Sequence, residues 1–253
     1  MSVNTVAPAA APPAVIAERL CVSYDGGRVA LAEVTFSLAP GEVLGIIGPN
    51  GSGKSTLLKA TAGLLRVRSG SLEVLGKKPD ALPPGSIAYV PQIDAVDWSF
   101  PATVRDVVAM GRFPKLGRFR PFATRDRRLV EDALASVRML HLADRPIGEL
   151  SGGQQQRTFI ARALAQEPAI YLLDEPATGV DAATEETLLE IVRRLAGEGK
   201  PVMMSTHDLE RAREWFDRLL VLETRQIFEG STDEVLSAHP QLAHSHAHGH
   251  SKP

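Results

Sequence analysis

Apolar and polar positions change period several times along the 253 residues. Val15 to Val22 alternates weakly as a strand, Asp25-Gly26-Gly27 gives a turn signal, and Val29 to Leu38 reads as the return strand. Pro40-Gly41 turns the chain into Glu42-Val43-Leu44-Gly45-Ile46-Ile47, a short apolar strand. Leu57 to Leu65 has helical texture and closes near the basic run Arg66-Val67-Arg68, and short strands are expected at Ser71–Leu75 and Ile87–Val90. Between Asp94 and Leu150 the pattern turns helical. Val104–Met110 reads as one helix, and a break follows at Phe113-Pro114, where proline disfavours helix in the residue before it. Thr124 is a plausible cap for a second helix with Leu129, Val130, Ala133, Leu134 and Val137 at helical spacing. After Ser151, helices over Gln154–Ala165, Thr184–Leu195 and Leu209–Trp215 alternate with apolar strands at Ala169–Leu173, Pro201–Ser205 and Leu219–Leu222. The first two of those strands read as buried on both faces.

This pattern describes an α/β core in two pieces, residues 15–92 and 151–236, with a mainly helical insert at 93–150. An Ala/Pro-rich leader (1–14) and a polar, histidine-rich tail (237–253) flank it. The leader has no basic residues before its apolar part and carries Pro8, Pro12 and Pro13, so it reads as a disordered segment and not as a secretion signal. Hydrophobic residues make up 44% of the chain, and 28 basic residues against 30 acidic ones leave a net charge of −2. That balance is ordinary for a soluble globule and gives no field that calls for a nucleic-acid partner. Cys21 is the only cysteine, which excludes an intrachain disulfide and a cysteine-based zinc site. No apolar run approaches the roughly 18 residues of a membrane helix.

Chemistry enters with Gly48-Pro49-Asn50-Gly51-Ser52-Gly53-Lys54-Ser55-Thr56, which matches the phosphate-loop pattern G-x-x-x-x-G-K-[ST] between a strand and a helix. Glycines there let backbone N–H groups curl around a polyphosphate, and the helix start adds partial positive charge. Lys54 would reach the β- and γ-phosphates, and the Ser55 hydroxyl would bind Mg²⁺. The apolar strand ending at Asp174-Glu175-Pro176 supplies two acids. Asp174 suits the metal, and Glu175 is placed to act as general base on an attacking water. ATP or GTP hydrolysis is the expected reaction.

Leu150-Ser151-Gly152-Gly153-Gln154-Gln155-Gln156-Arg157 resembles the L-S-G-G-Q signature of ATP-binding cassette (ABC) proteins, and it stands in the expected order after the phosphate loop. The resemblance covers roughly residues 15 to 232. It implies a P-loop ATPase core with a mixed sheet flanked by helices, an antiparallel β subdomain at the N-terminal side and an inserted helical subdomain. It implies further roles residue by residue. Tyr24 matches the aromatic that stacks on adenine, and Gln92 the glutamine that contacts Mg²⁺ and senses the membrane partner. Asp181 in Gly179-Val180-Asp181 matches the loop that communicates across a dimer, and His207 the histidine at the γ-phosphate. A head-to-tail homodimer is implied, each ATP lying between one chain's phosphate loop and Ser151, Gly152, Gly153 and Gln154 of the other.

Val90-Pro91-Gln92-Ile93-Asp94-Ala95-Val96-Asp97-Trp98-Ser99-Phe100-Pro101 is similar to the ATPase subunits of bacterial manganese/zinc-type importers; iron-siderophore and cobalamin importers share part of this insert. The subgroup implies a permease partner, an extracytoplasmic metal-binding protein and a peripheral place on the cytoplasmic face of the membrane. ABC ATPases of DNA repair carry long coiled-coil or zinc-bearing insertions, and translation factors carry two cassettes; this chain shows neither. Trp98 and Phe100 are candidates for a permease groove. Arg112, Lys115, Arg118, Arg120, Arg125, Arg127 and Arg128 form a basic cluster, read mainly as a solvated face, with contact to the permease or to lipid headgroups as the alternative. His239, His244, His246, His248 and His250 are potential metal ligands.

Overall fold

The computed structural model describes residues 11–24, 27–92, 101–116 and 120–238. Asp25-Gly26, Trp98, Phe100, Arg118 and the histidines of the tail lie outside the described residues, as do the first ten residues of the leader.

Three five-residue runs are buried at every position: β3 (Val43–Ile47), β6 (Ile170–Asp174) and β7 (Val202–Thr206). Such runs need a sheet covered on both sides, and their alternation sorts the core into two layers. Val43, Ile47, Tyr171, Leu173, Val202 and Met204 face one apolar cluster, filled by α2 (Val104–Ala109), α4 (Thr124–Ser136), α5 (Gly152–Ala165) and α6 (Ala182–Gly197). Leu44, Ile46, Ile170, Leu172 and Met203 face the other, filled by α1 (Lys54–Thr61) and by strands β1 (Val15–Ser23), β2 (Val29–Leu38) and β4 (Val67–Val74). Each fully buried Leu or Ile contributes about 1.5–3 kcal/mol relative to exposure.

With β5 (Ile87–Val90), β8 (Arg218–Glu223) and β9 (Arg225–Ser231), the sheet order is β4-β1-β2-β9-β8-β3-β7-β6-β5. The strands from β8 to β5 in this order pair in parallel. The β4-β1-β2 end is antiparallel, and so is the β8–β9 pair. The antiparallel end joins the rest through one parallel pairing, Ala32 with Arg225, supported by Ala32 N–H donating to Thr224 O at 2.9 Å. Because β3, β5, β6 and β7 run in parallel, the segments leaving their C-terminal ends collect at one edge of the sheet. That edge is where an open α/β sheet places its ligand.

The mixed sheet, the antiparallel part and the helices after Gln92 agree with the sequence reading. Several boundaries do not. The basic run expected to close a helix is the start of β4, and the phosphate-loop helix begins at Lys54 itself. β9 and α8 (Thr232–Ala238) were not anticipated. The helix expected from Leu209 is one turn, α7 (Ala212–Trp215). At α4 the cap position is Ala123, not Thr124, and Asp126 Oδ2 accepts the Ala123 N–H at 3.0 Å. Ala14, placed in the leader, is buried and takes part in the sheet: its N–H donates to Leu38 O at 2.6 Å and its carbonyl accepts from Leu75 N–H at 2.7 Å.

One buried ion pair ties α4 to the turn between α2 and α3 (Phe113–Leu116), and the same guanidinium reaches the end of α5. Arg112 Nε donates to Asp126 Oδ1 at 3.0 Å, and Arg112 Nη1 donates to Ala165 O at 2.7 Å and to Glu167 Oε2 at 3.1 Å. Removing one partner strands the other charge. Arg112→Ala is expected to cost about 3 kcal/mol. Urea unfolding should show a lower midpoint at unchanged slope, and a midpoint equal to the parent's would refute this account.

Candidate active site

Strand β3 runs straight into the phosphate loop, and the loop's shape is set by backbone approach. Gly53 has φ 105°, and a Cβ there would meet Leu31 Cδ2 at 2.4 Å and Ala30 O at 2.8 Å. Only glycine satisfies both the handedness and the space. The loop closes over a cleft of about 980 Å³. Tyr24, every residue from Gly48 to Thr56, Gln92, Glu175, Thr178 and His207 line it, together with Arg28, Leu209 and Thr224.

Lys54 is 5% exposed. Its Nζ donates to Gly48 O at 2.8 Å and to Pro49 O at 3.3 Å, which folds the ammonium back under the loop, 3.7 Å from Glu175 Oε1. Ser52 Oγ is buried without a hydrogen-bond partner among the described residues. An orphaned hydroxyl buried in this loop is what an anionic ligand of several oxygens would complete.

Asp174 lies beneath the cleft wall, 3% exposed, at the end of β6. Oδ1 accepts from Ser55 Oγ at 3.0 Å and from Ser205 Oγ at 2.7 Å, and Oδ2 accepts from Tyr89 OH at 3.0 Å. Burial, reinforced by the Asp174 charge, pushes the Tyr89 phenol above its ordinary value, so it remains a donor. The oxygens of Ser55 and Asp174, 3.0 Å apart, are of the kind that suits a hard cation such as Mg²⁺, and Gln92 lines the same cleft as Ser55.

Glu175 is the next residue, and its φ of 47° is unusual for a side chain of this size. The turn of the backbone swings its carboxylate from the strand end into the cleft. There Oε2 accepts from Thr178 Oγ1 at 3.3 Å and lies 3.3 Å from His207 Nδ1, and its N–H donates to Ser205 Oγ at 2.9 Å. Strained conformations of this kind gather where a side chain must be aimed. Tyr24 is 43% exposed at the cleft mouth, its OH 2.9 Å from Thr56 Oγ1.

A different group stands apart from the cleft. Ser151 caps α5: its Oγ accepts from Gln154 N–H at 3.4 Å and its N–H donates to Gln154 Oε1 at 3.0 Å. Asp181 caps α6, accepting from Thr184 N–H at 2.8 Å and Thr184 Oγ1 at 3.0 Å, and these hydrogen bonds hold its carboxyl below the usual range. The two caps touch, because a Cβ on Gly153 would sit 3.0 Å from both Asp181 Oδ2 and Thr184 Oγ1. None of Ser151, Gly152, Gly153, Gln154 and Asp181 lines the chain's own cleft. Sequence reasoning named both groups but missed Thr178, Ser205 and Tyr89. Ser205 had a visible signal: it stands near the end of a buried strand, as Asp174 does.

A family model described as "ABC transporter" matches residues 31–178. The chain belongs to this family. It is an ATP-binding, ATP-hydrolysing subunit of an ABC transporter. The chain is 44% identical over 223 residues to the manganese transport system ATP-binding protein MntB of Halalkalibacterium halodurans, covering 88% of each protein. It is 44% identical over 236 residues to the zinc transport system ATP-binding protein TroB of Treponema pallidum, covering 93% of this chain and 87% of the relative. Among solved structures, the ADP conformation of MJ1267, an ATP-binding cassette of an ABC transporter, superposes with a TM-score of 0.79 at 27% identity. That match covers 94% of this chain and 100% of the other. Among the described residues of this ABC subunit, no helix is long and apolar enough to cross a membrane.

Proposed function

We propose that this chain is the ATP-hydrolysing motor of an importer for divalent metal ions, manganese or zinc. It works as a head-to-tail homodimer on the cytoplasmic face of a permease supplied by an extracytoplasmic metal-binding protein. The cargo class rests on one observation, the identity shared over nearly the full length with manganese and zinc transport subunits. Among the described residues no cluster of three or more His, Cys, Asp or Glu residues suited to an ion occurs.

In this reading the loop from Gly48 to Thr56 surrounds the phosphates and Lys54 leaves Gly48 O and Pro49 O to reach the β- and γ-phosphates. Ser55, Asp174 and Gln92 would hold Mg²⁺, whose charge neutralises the transferring group. Glu175 takes the proton of the attacking water as its oxygen bonds to the γ-phosphorus, and ADP departs. His207, 3.3 Å from Glu175 Oε2, would contact the γ-phosphate, and Tyr24 would offer its ring to adenine. Ser151, Gly152, Gly153 and Gln154, with Asp181 packed behind them, face the second chain's nucleotide.

Two effects follow directly. Thr178 gives Glu175 one hydrogen bond, worth about 1 kcal/mol, so Thr178→Val should lower kcat about fivefold with KM little changed. Thr178→Ser should restore kcat, and a Ser variant as slow as the Val variant would remove the positioning role. Lys54→Ala should weaken nucleotide binding itself by about tenfold or more, the loss of a charged hydrogen bond. Titration with a fluorescent ATP analogue measures it, and undiminished affinity would contradict the assignment.

The cargo is tested by reconstituting the chain with its permease and solute-binding partner and comparing ATPase stimulation and uptake with Mn²⁺-, Zn²⁺- and Fe-loaded binding protein. Stimulation by Mn²⁺ or Zn²⁺ supports the reading. A response only to an iron-siderophore or cobalamin would replace it with the other importer class.

A further inference from the structure

Four of the basic residues in the helical segment line a recess of about 470 Å³ near the N-terminal ends of β5 and β6, away from the cleft. Pro84, just before β5, and Glu167, just before β6, border it. Gln92 and Asp174, at the opposite ends of those two strands, belong to the nucleotide site. The two pockets are therefore separate.

Four cations, Arg112, Lys115, Arg120 and Arg125, and two carboxylates, Asp126 and Glu167, line the recess. Both carboxylates are already engaged. Asp126 spends one oxygen on Arg112 Nε and the other on the Ala123 N–H. Glu167 Oε2 accepts from Arg112 Nη1 and lies 3.6 Å from Arg125 Nη2. Lys115 Nζ has only the main-chain carbonyl of Glu167, at 2.6 Å, and no ion pair is found for it or for Arg120 among the described residues. Burial, together with the charges of Arg112, Lys200 and Arg125, holds Lys115 below its ordinary value despite Glu167. A half-enclosed pocket with four cations against two carboxylates, and with guanidinium forks at its rim, is matched by a compact dianion with several acceptor oxygens.

We propose that this recess is a second anion site, separate from the nucleotide cleft, which takes a phosphate-bearing group: a soluble phosphate or the headgroup of an anionic lipid. Arg120 and Arg125 are the recognition residues at its exposed rim, while Arg112 forms its floor and Lys115 its inner donor.

The full-length chain, with its nucleotide cleft saturated by ADP and Mg²⁺, is titrated with inorganic phosphate by calorimetry. In a second arm it is floated with vesicles of phosphatidylglycerol and phosphatidylcholine against phosphatidylcholine alone. Arg120→Gln/Arg125→Gln is the test variant and keeps Arg112 in place for folding. Arg127→Gln/Arg128→Gln, also exposed and equal in charge removed, is the control. The proposal expects about tenfold weaker binding in the test variant, little change in the control, and the same basal ATPase rate in both. Loss confined to the phosphate arm identifies a soluble ligand, and loss confined to the vesicle arm identifies a lipid. Equal loss in the control, or no binding that depends on Arg120 and Arg125 in either arm, overturns the site.

Discussion

Glu175→Gln is expected to bind ATP as the parent does and to hydrolyse it about 10²–10⁴-fold more slowly, the range lost when a positioned general base is removed. The amide has the size of the carboxylate and its oxygen can still accept from Thr178 Oγ1, so the φ 47° turn and the contact with Ser205 need not change. What disappears is the capacity to take a proton. The amide also removes the negative charge 3.7 Å from Lys54 Nζ, which frees the ammonium for phosphate and makes tighter nucleotide binding the direction to look for. Single-turnover hydrolysis and equilibrium binding on the same sample separate the two effects. Turnover within a few-fold of the parent's would transfer the base to another group, with His207, beside Glu175 in the same cleft, the first to examine.

How far these residues could be read in one dimension differs between the two halves of the site. The phosphate loop is local in sequence, so its glycines, lysine and hydroxyls declare themselves together. Asp174 and Glu175 are legible because a fully buried strand ending in two acids conflicts with burial unless the acids have work to do. The supports are another matter. Ser205 reaches Asp174 because β7 pairs with β6 in a register that sets these two residues side by side, and Tyr89 arrives from the other neighbour, β5. Cross-strand partners leave no trace in local periodicity. β9 was missed for a related reason. Arg225-Gln226-Ile227-Phe228-Glu229-Gly230-Ser231 is only partly buried, carries charges and has a glycine inside it, so its pairing with β8, not its own composition, makes it a strand. β4 lost its first half, Val67 to Gly70, to the same effect, since Arg68, Ser69 and Gly70 are all exposed.

Gly152 provides the sharpest test of the second half of the site, because nothing inside the chain asks for a glycine there. It is exposed at the first position of α5, a Cβ would meet no atom within 4 Å, and its φ lies outside the left-handed range. Glycine normally costs a helix about 1 kcal/mol relative to alanine, and an acid in the first turn is favoured by the helix dipole. A single chain should therefore accept Gly152→Asp with unchanged or slightly raised stability and with its own cleft, which Gly152 does not line, binding ATP normally. The head-to-tail dimer predicts the reverse for activity, since the new carboxylate would meet the neighbour's triphosphate where the exposed N–H groups of α5 should. ATPase activity should fall by about a hundredfold or more, the loss seen when one preorganised donor to a developing anion is removed. ATP-induced dimerisation of Glu175→Gln, followed by sedimentation velocity, should vanish when Gly152→Asp is added, while monomeric ATP binding persists. A folded Gly152→Asp chain that hydrolyses ATP at the parent rate would show that the cleft works without a second subunit.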